Sequence, residues 1–504
     1  MNSLGEPIPH SDHAVSVSLP KWMDVIGYEE KEDRVISQLQ LGYPRFVIHP
    51  LVQKLFDYCY SQHKTLRESD GNEAYFVFPS KSAAERAKQF VLDNLGKADI
   101  FEVQKGLNLF IVITSKDNVH LLKAYWQHSG EIISSRKAEY CLKVLENKIQ
   151  KVNKLSTSSK EKIKTKISNL TGEDTKNIRL FPSGMAAIFF IHSILQKRNS
   201  SKNKLKTVQF GFPYMDTLKI QEKFSGGVHF FHKGDEEDLK ALEFLLQEEK
   251  IAGLFTEFPT NPLLRSVDLE KLVQLSKQYN FPIVVDDTIA TFANANLVEH
   301  IDILVTSLTK FFSGVGNTIA GSLVLSGQSQ FYDELFNLIA SEYEDLLWFE
   351  DADVLLTNCQ DFEERMKIIN KNAETLCDFL THQDSIERIH YPKFVDVDNY
   401  KKFSNKINSG YGGLFSIEFK NPEVSAPLFY DNLEVSKGPS LGTSYTLACP
   451  YTLLAHYQEL EFVEQCGVSK SLVRVSVGTE EINKLIEVFS DSLNKLKALK
   501  FNTN

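Results

Sequence analysis

Two apolar runs, each leading into a charged residue, constrain this chain more than any other feature. Ile283-Val284-Val285 runs into Asp286-Asp287-Thr288, and Asp302-Ile303-Leu304-Val305-Thr306 runs into Ser307-Leu308-Thr309-Lys310. Short β-branched runs of this kind read as buried strands. An apolar stretch at 251–256 and an amphipathic helical pattern at 268–279 precede them. Strand, helix, strand is the alternation of an α/β core. In such sheets ligands bind beyond the carboxyl ends of the strands. Asp286 and Lys310 are therefore expected to face one pocket from neighbouring strand tips. An amine that can bond an aldehyde, and an acid that can keep a pyridine nitrogen protonated, are what pyridoxal phosphate (PLP) requires. Taken singly, Asp286 reads more simply as a turn cap and Lys310 as a solvated cation.

Composition narrows the function class. The 504 residues are 42% hydrophobic and 24% charged, an ordinary globular mixture long enough for two or three domains. A net charge of −10 argues against a nucleic-acid partner. The six cysteines form no C-x-x-C pair and read as reduced thiols, so no metal is expected. No apolar run approaches a membrane span. The amino-terminal residues lack the form of a signal or transit peptide, so the cytoplasm is the expected location.

TEFPTNPLLRSVDLEKL (256–272), VVDDTIAT (284–291) and TSLTKFFSG (306–314) together resemble the PLP-dependent enzymes of cysteine and methionine metabolism. That family's pattern runs E-x-P-x-N-P-x-x-x-x-x-D, then D-N-T, then S-x-T-K. Order and spacing agree over about sixty residues, a specific signal. Asp287 departs from it, standing where the family has asparagine. The resemblance implies an α/β aminotransferase-like fold (fold type I). Its expected parts are a large mixed-sheet PLP domain at 126–330 and a small C-terminal α/β domain within 331–504.

It also implies roles for residues. Lys310 would hold the cofactor and Asp286 its pyridine nitrogen, with Thr288 alongside. Ser183-Gly184-Met185 precedes an apolar helical stretch, and helix-start amides suit a phosphate. Alone, a serine-glycine pair before a helix is a common N-cap. The resemblance adds Ser307 and Thr309 to the phosphate site. It also adds the partner subunit's Arg136, which requires a homodimer or homotetramer with shared sites. Ser134 then stands where the family's Y-x-R motif has its tyrosine. Phe210 is the expected ring-stacking aromatic, with Tyr214 as competitor. Glu257 and Asn261 would lie beside the cofactor. Arg474 would grip the carboxylate of an amino-acid substrate. Tyr445 and Thr446 replace a Glu-Ser pair in a phrase that helps set substrate choice.

Residues 1–12 are polar and are expected to be disordered. Residues 13–125 are expected to form an N-terminal α/β extension, with strands at 74–78 and 109–114 and helices at 50–62 and 80–94. HAVSVSLPKWMDVIGYEE (13–30) and GYPRFVIHPLVQKL (42–55) resemble the extension of the family's fungal members. A lysine- and serine-rich stretch at 151–177 reads as an exposed helix with turns. The activity implied is γ-replacement, in which cysteine sulfur displaces the acyl group of an O-acylhomoserine to give cystathionine. A lyase of the same family and a non-catalytic regulatory paralogue are the alternatives.

Overall fold

The computed structural model describes residues 2–64, 71–104, 106–150, 158–199, 204–405 and 409–502. Part of the expected helical stretch at 151–177 lies outside them. Seventeen strands occur in chain order among the described residues. They are β1 (Pro7–Ile8), β2 (Ser16–Val17), β3 (Glu73–Phe78), β4 (Ala98–Gln104), β5 (Leu109–Ser115), β6 (Ile178–Phe181), β7 (Thr207–Phe210), β8 (Val228–Phe231) and β9 (Leu254–Glu257). Then follow β10 (Ile283–Asp286), β11 (Ile303–Thr306), β12 (Gly321–Leu325), β13 (Ile386–His390), β14 (Leu414–Phe419), β15 (Ser436–Lys437), β16 (Leu447–Pro450) and β17 (Val473–Ser476).

Seven of these form one mixed sheet in the order β6-β12-β11-β10-β9-β7-β8. The β8-β7-β9-β10-β11 neighbours are parallel, and β12 runs antiparallel to both β11 and β6. Successive side chains of a strand point to opposite faces. Val284 and Val305 accordingly join one buried cluster, and Val285 and Leu304 join the other. A sheet covered on both faces leaves its strand ends as the natural place for polar chemistry. A second sheet, β13-β14-β17-β16-β15, belongs to the C-terminal part, as expected.

The N-terminal region departs from expectation in two ways. Residues expected to be disordered carry β1, which pairs with β2 (Pro7 opposite Val17, Ile8 opposite Ser16) and buries Ile8. Low apolar content concealed a segment ordered by backbone pairing. The expected single extension is also two pieces. Leu19, Trp22, Val25 and Val35 share a core cluster with the C-terminal sheet. There the Trp22 amide donates to Asp431 at 2.7 Å, and the Tyr430 hydroxyl donates to the Leu19 carbonyl at 2.7 Å. The second piece is an antiparallel sheet, β3-β5-β4, with helices at Pro50–Lys64, Lys81–Asp93 and Val119–Ser129. Ser80 caps the second of these helices. This unit packs on the large domain, with Tyr125 edge-on to Phe189 at 5.8 Å. The strand β4 had no clean alternation to reveal it, since its burial is irregular.

Candidate active site

The tips of β9, β10 and β11 build the centre. Register places Asp286 beside Glu257 on one side and Val305 on the other. Asp286 Oδ1 accepts hydrogen bonds from the Thr288 amide (2.9 Å) and hydroxyl (2.6 Å). Thr288 Oγ1 in turn accepts from the Ser307 amide at 2.8 Å. Asp286 Oδ2 has no hydrogen-bond partner among the described residues. Burial pushes the Asp286 carboxyl up, and the Thr288 bonds oppose it. Glu257 accepts from the amides of Tyr214 (2.6 Å) and Asn261 (3.0 Å). Burial, then the Asp286 charge, pushes Glu257 well above the carboxylate range. Two neighbouring acids share their titration, and both are pushed up by burial, Glu257 the further.

Lys310 follows β11 by a short turn. Its Nζ donates to Ser440 Oγ at 2.9 Å and lies 4.6 Å from the centre of the Tyr43 ring. It makes no ion pair among the described residues. Burial lowers the Lys310 ammonium; Tyr43 opposes this, while Arg474 and Arg45 add to it. Ser440 has φ +96°, a conformation costly for any residue but glycine, and such strain clusters at functional sites. Its carbonyl accepts from Arg474 Nη2 at 2.9 Å, so one residue links the amine to the arginine. Arg474 Nη1 donates to Asn261 Oδ1 at 3.1 Å, and its guanidinium lies 4.5 Å from the Tyr451 ring centre. A Cβ on Gly442 would lie 2.4 Å from the Phe311 amide nitrogen, so only glycine lets this loop press against the lysine turn.

The Ser183–Met185 loop lies where helix Gly184–Arg198 begins. Ser183 caps it, accepting from the Ala186 amide at 3.1 Å. A Cβ on Gly184 would lie 2.8 Å from Ser307 Cβ, so the glycine brings the helix start against the lysine turn. Met185 packs into the core. Thr309 spends its hydroxyl on the Ala320 amide at 3.0 Å, and Thr446 bonds Glu480 at 2.9 Å, so both hold backbone geometry. Tyr445 is half-buried, with its hydroxyl 3.1 Å from where a Gly316 Cβ would stand.

One expectation requires correction. Phe210 is wholly buried in the core near Phe231, whereas Tyr214 presents its hydroxyl to Arg45 Nη2 at 2.7 Å. A strand's last apolar residue turned inward, and the aromatic beyond the turn faces the site. Arg136 donates to Asp351 at 3.0 Å, and Ser134 caps the helix Ser135–Leu145. Within the same chain, a tyrosine and an arginine that the sequence reading did not single out, Tyr43 and Arg45, act on the lysine. Arg45 is 3% exposed and pairs with Asp216, itself 2% exposed. Burial would raise Asp216, but Arg45 and His128 outweigh it and hold the carboxyl at about 2. Burial also raises the Tyr43 phenol, yet the charges and hydrogen bonds of Lys310 and Arg45 bring it below its ordinary value. The signal was available: Tyr43-Pro44-Arg45 itself reads Y-x-R.

These residues fit PLP. The half-buried carboxylate has one oxygen without a partner, the amine has no counter-ion, and the glycine-led helix start opens beside them. Fold and site together define a PLP-dependent enzyme of the aminotransferase-like fold. Residues 136–494 match the family described as Cys/Met metabolism PLP-dependent enzyme, and residues 51–134 match the fungal trans-sulfuration enzyme, N-terminal domain. The chain belongs to the Cys/Met metabolism family of PLP-dependent enzymes. It is 34% identical to cystathionine gamma-synthase of Saccharomyces cerevisiae, over 98% of this chain and 99% of that one. It is likewise 34% identical to cystathionine gamma-synthase of Neurospora crassa, over 97% and 98%. A solved cystathionine gamma synthase from Xanthomonas oryzae superposes with TM-score 0.59 at 20% identity, covering 68% of this chain and 87% of that one.

Proposed function

We propose that this enzyme joins an O-acylhomoserine to L-cysteine by γ-replacement, giving cystathionine in trans-sulfuration and methionine biosynthesis. The observation that carries the reading is Ser440, which holds Lys310 by its hydroxyl and Arg474 by its carbonyl. An amino acid whose carboxylate is gripped by Arg474 thereby has its α-carbon directed at Lys310. Similarity along the whole chain to two fungal proteins named cystathionine gamma-synthase supports formation of cystathionine and leaves the acyl group of the homoserine ester open.

PLP, when bound, supplies an aldehyde for the substrate amine and a ring that accepts electrons. The chain's own groups do the rest. Lys310 Nζ, with its ammonium destabilised by burial, takes and returns the substrate's carbon-bound protons. Asp286 would hold the ring's proton, and Glu257, whose carboxyl burial pushes well up, would add little competing charge. The helix start at Gly184 and the Ser307 side chain would take the phosphate, and Tyr43 would stand by the Lys310 amine. The Gly442 loop limits water at the lysine.

The enzyme is further proposed to act in the cytoplasm as a homodimer or homotetramer. Among the described residues no helix is long and apolar enough to cross a membrane. The test is product analysis with the acetyl, succinyl and phospho esters of homoserine plus cysteine, beside cystathionine alone. Cystathionine formed from one ester supports the proposal. Keto acid released from cystathionine alone would make the enzyme a lyase, and no turnover with any of these would leave a regulatory paralogue.

A further inference from the structure

Asp287 places an acid where the family pattern has an amide, and its surroundings are unusual for an acid. The side chain is wholly buried between the tips of β10 and β11. Oδ1 accepts a hydrogen bond from the Thr306 hydroxyl at 2.5 Å, and Oδ2 has no partner. The Asp287 amide donates to the Val305 carbonyl at 3.1 Å, and its carbonyl accepts from the Thr291 amide at 2.6 Å. It forms no ion pair among the described residues. The ionisable groups at these strand tips are Asp286, Glu257 opposite it on β9, and Lys310 beyond β11. Of these, Asp286 is the one whose charge acts on Asp287, and it repels. A carboxylate buried with one bare oxygen, no cation and a second carboxylate next to it is strongly disfavoured. A carboxyl that keeps its proton is not.

The Thr306–Asp287 bond also has a neighbour. The Ser307 amide donates to Thr288 Oγ1 at 2.8 Å, and that hydroxyl donates to Asp286. Two rungs therefore tie the acid strand to the lysine strand. We infer that Asp287 is a neutral, proton-bearing carboxyl that latches the tip of β10 to the tip of β11, positioning Asp286 against Lys310 without adding a second negative charge. The inference rests on the PLP site and not on the proposed substrates.

It carries a pH signature. Burial pushes the carboxyl up to about 8, with Thr306 opposing and Asp286 adding to the rise. In the unfolded chain the same group titrates near the ordinary ~3.9. Between those values the unfolded chain has lost a proton that the folded chain keeps. The contribution is therefore complete at acid pH, declines as pH rises toward the folded value, and is flat above it. Beyond about 8 a second negative charge forms beside Asp286.

The test compares wild type with Asp287→Asn across about pH 5 to 10 by thermal unfolding of the full-length, cofactor-free chain and by the pH profile of turnover. The expected result is that wild type loses stability relative to D287N up to about pH 8, with no further divergence, and that the alkaline limb near 8 is missing from the D287N profile. Parallel stability curves would overturn the inference. Should D287N fail to fold, Thr306→Val serves, since removing the hydroxyl donor should move the limb to higher pH; an unmoved limb would overturn it too. The unfolding curves need no substrate, so the proposed reaction can fail while this inference stands.

Discussion

The strand tips at 283–310 and the segment at 43–45 both reach the Lys310 amine, but they come to it by different routes. The tips are a single α/β unit whose spacing fixes its own geometry. Parallel register sets Asp286 beside Val305, and a short turn then delivers Lys310. Tyr43 and Arg45 arrive from the far end of the chain. Their position is set by β1 and β2, by the Trp22 cluster on the C-terminal sheet, and by burial of Arg45 against Asp216. The tips are specified by local pattern and the arm by contacts to surfaces made elsewhere. A motif carried on a local unit can be read directly, whereas the reach of a docked arm shows only in the folded chain.

Four experiments sharpen or break that contrast. Lys310→Ala removes the amine and should lower turnover by at least ~10³-fold and abolish the visible colour of the cofactor-loaded protein. Retained colour and turnover would remove the strand tips from the chemistry. Arg45→Ala tests the arm. It leaves Asp216 buried without its main cation, and should cost about 3–5 kcal/mol in denaturant unfolding. A loss well under 1 kcal/mol would mean that the arm does not depend on this pair. Arg474→Lys keeps the charge but loses the two-pronged fork held by Asn261 and Ser440. KM should rise about 10- to 100-fold, with kcat changing less.

The smallest effect lies at the joint between the inserted sheet and the large domain. There buried Lys137 donates to the Pro79 carbonyl at 3.0 Å. Burial lowers its ammonium to about 8, against ~10.4 for an unfolded lysine. Between those values the unfolded chain holds a proton that the folded chain lacks, so stability rises with pH through this window. Lys137→Met should remove that rise, measured as the slope of the unfolding midpoint from about pH 8 to 10.5. An unchanged slope would show that the joint does not exclude water.

Much of the site was legible because it lies where pattern is strong. Asp286, Glu257, Lys310 and Gly184 stand at or just beyond strand tips or at a helix start, Asn261 in the loop after β9 and Arg474 within β17, and their surroundings in the sequence mark those positions. Phe210 was misread because strand alternation does not say which face the last residue takes when the chain leaves the sheet. The Y-x-R text that reaches Lys310 lies earlier, with the 51–134 domain between it and the rest. Ser440 opens a phrase that resembles a family one, but its link between Lys310 and Arg474 was not legible, because positive φ in serine is a property of the folded loop.

The sequence by itself determined the alternating core, the amine and acid at its strand ends, and the family to which they belong. These follow from periodicity and from residue types that the cofactor's chemistry requires in fixed order. The tertiary structure alone decided that the N-terminal arm closes on Lys310, that Arg45 accompanies it, and that Asp287 is buried with a bare oxygen. Each depends on which surfaces meet across long stretches of chain, and burial of charge and polar atoms is defined only once they do.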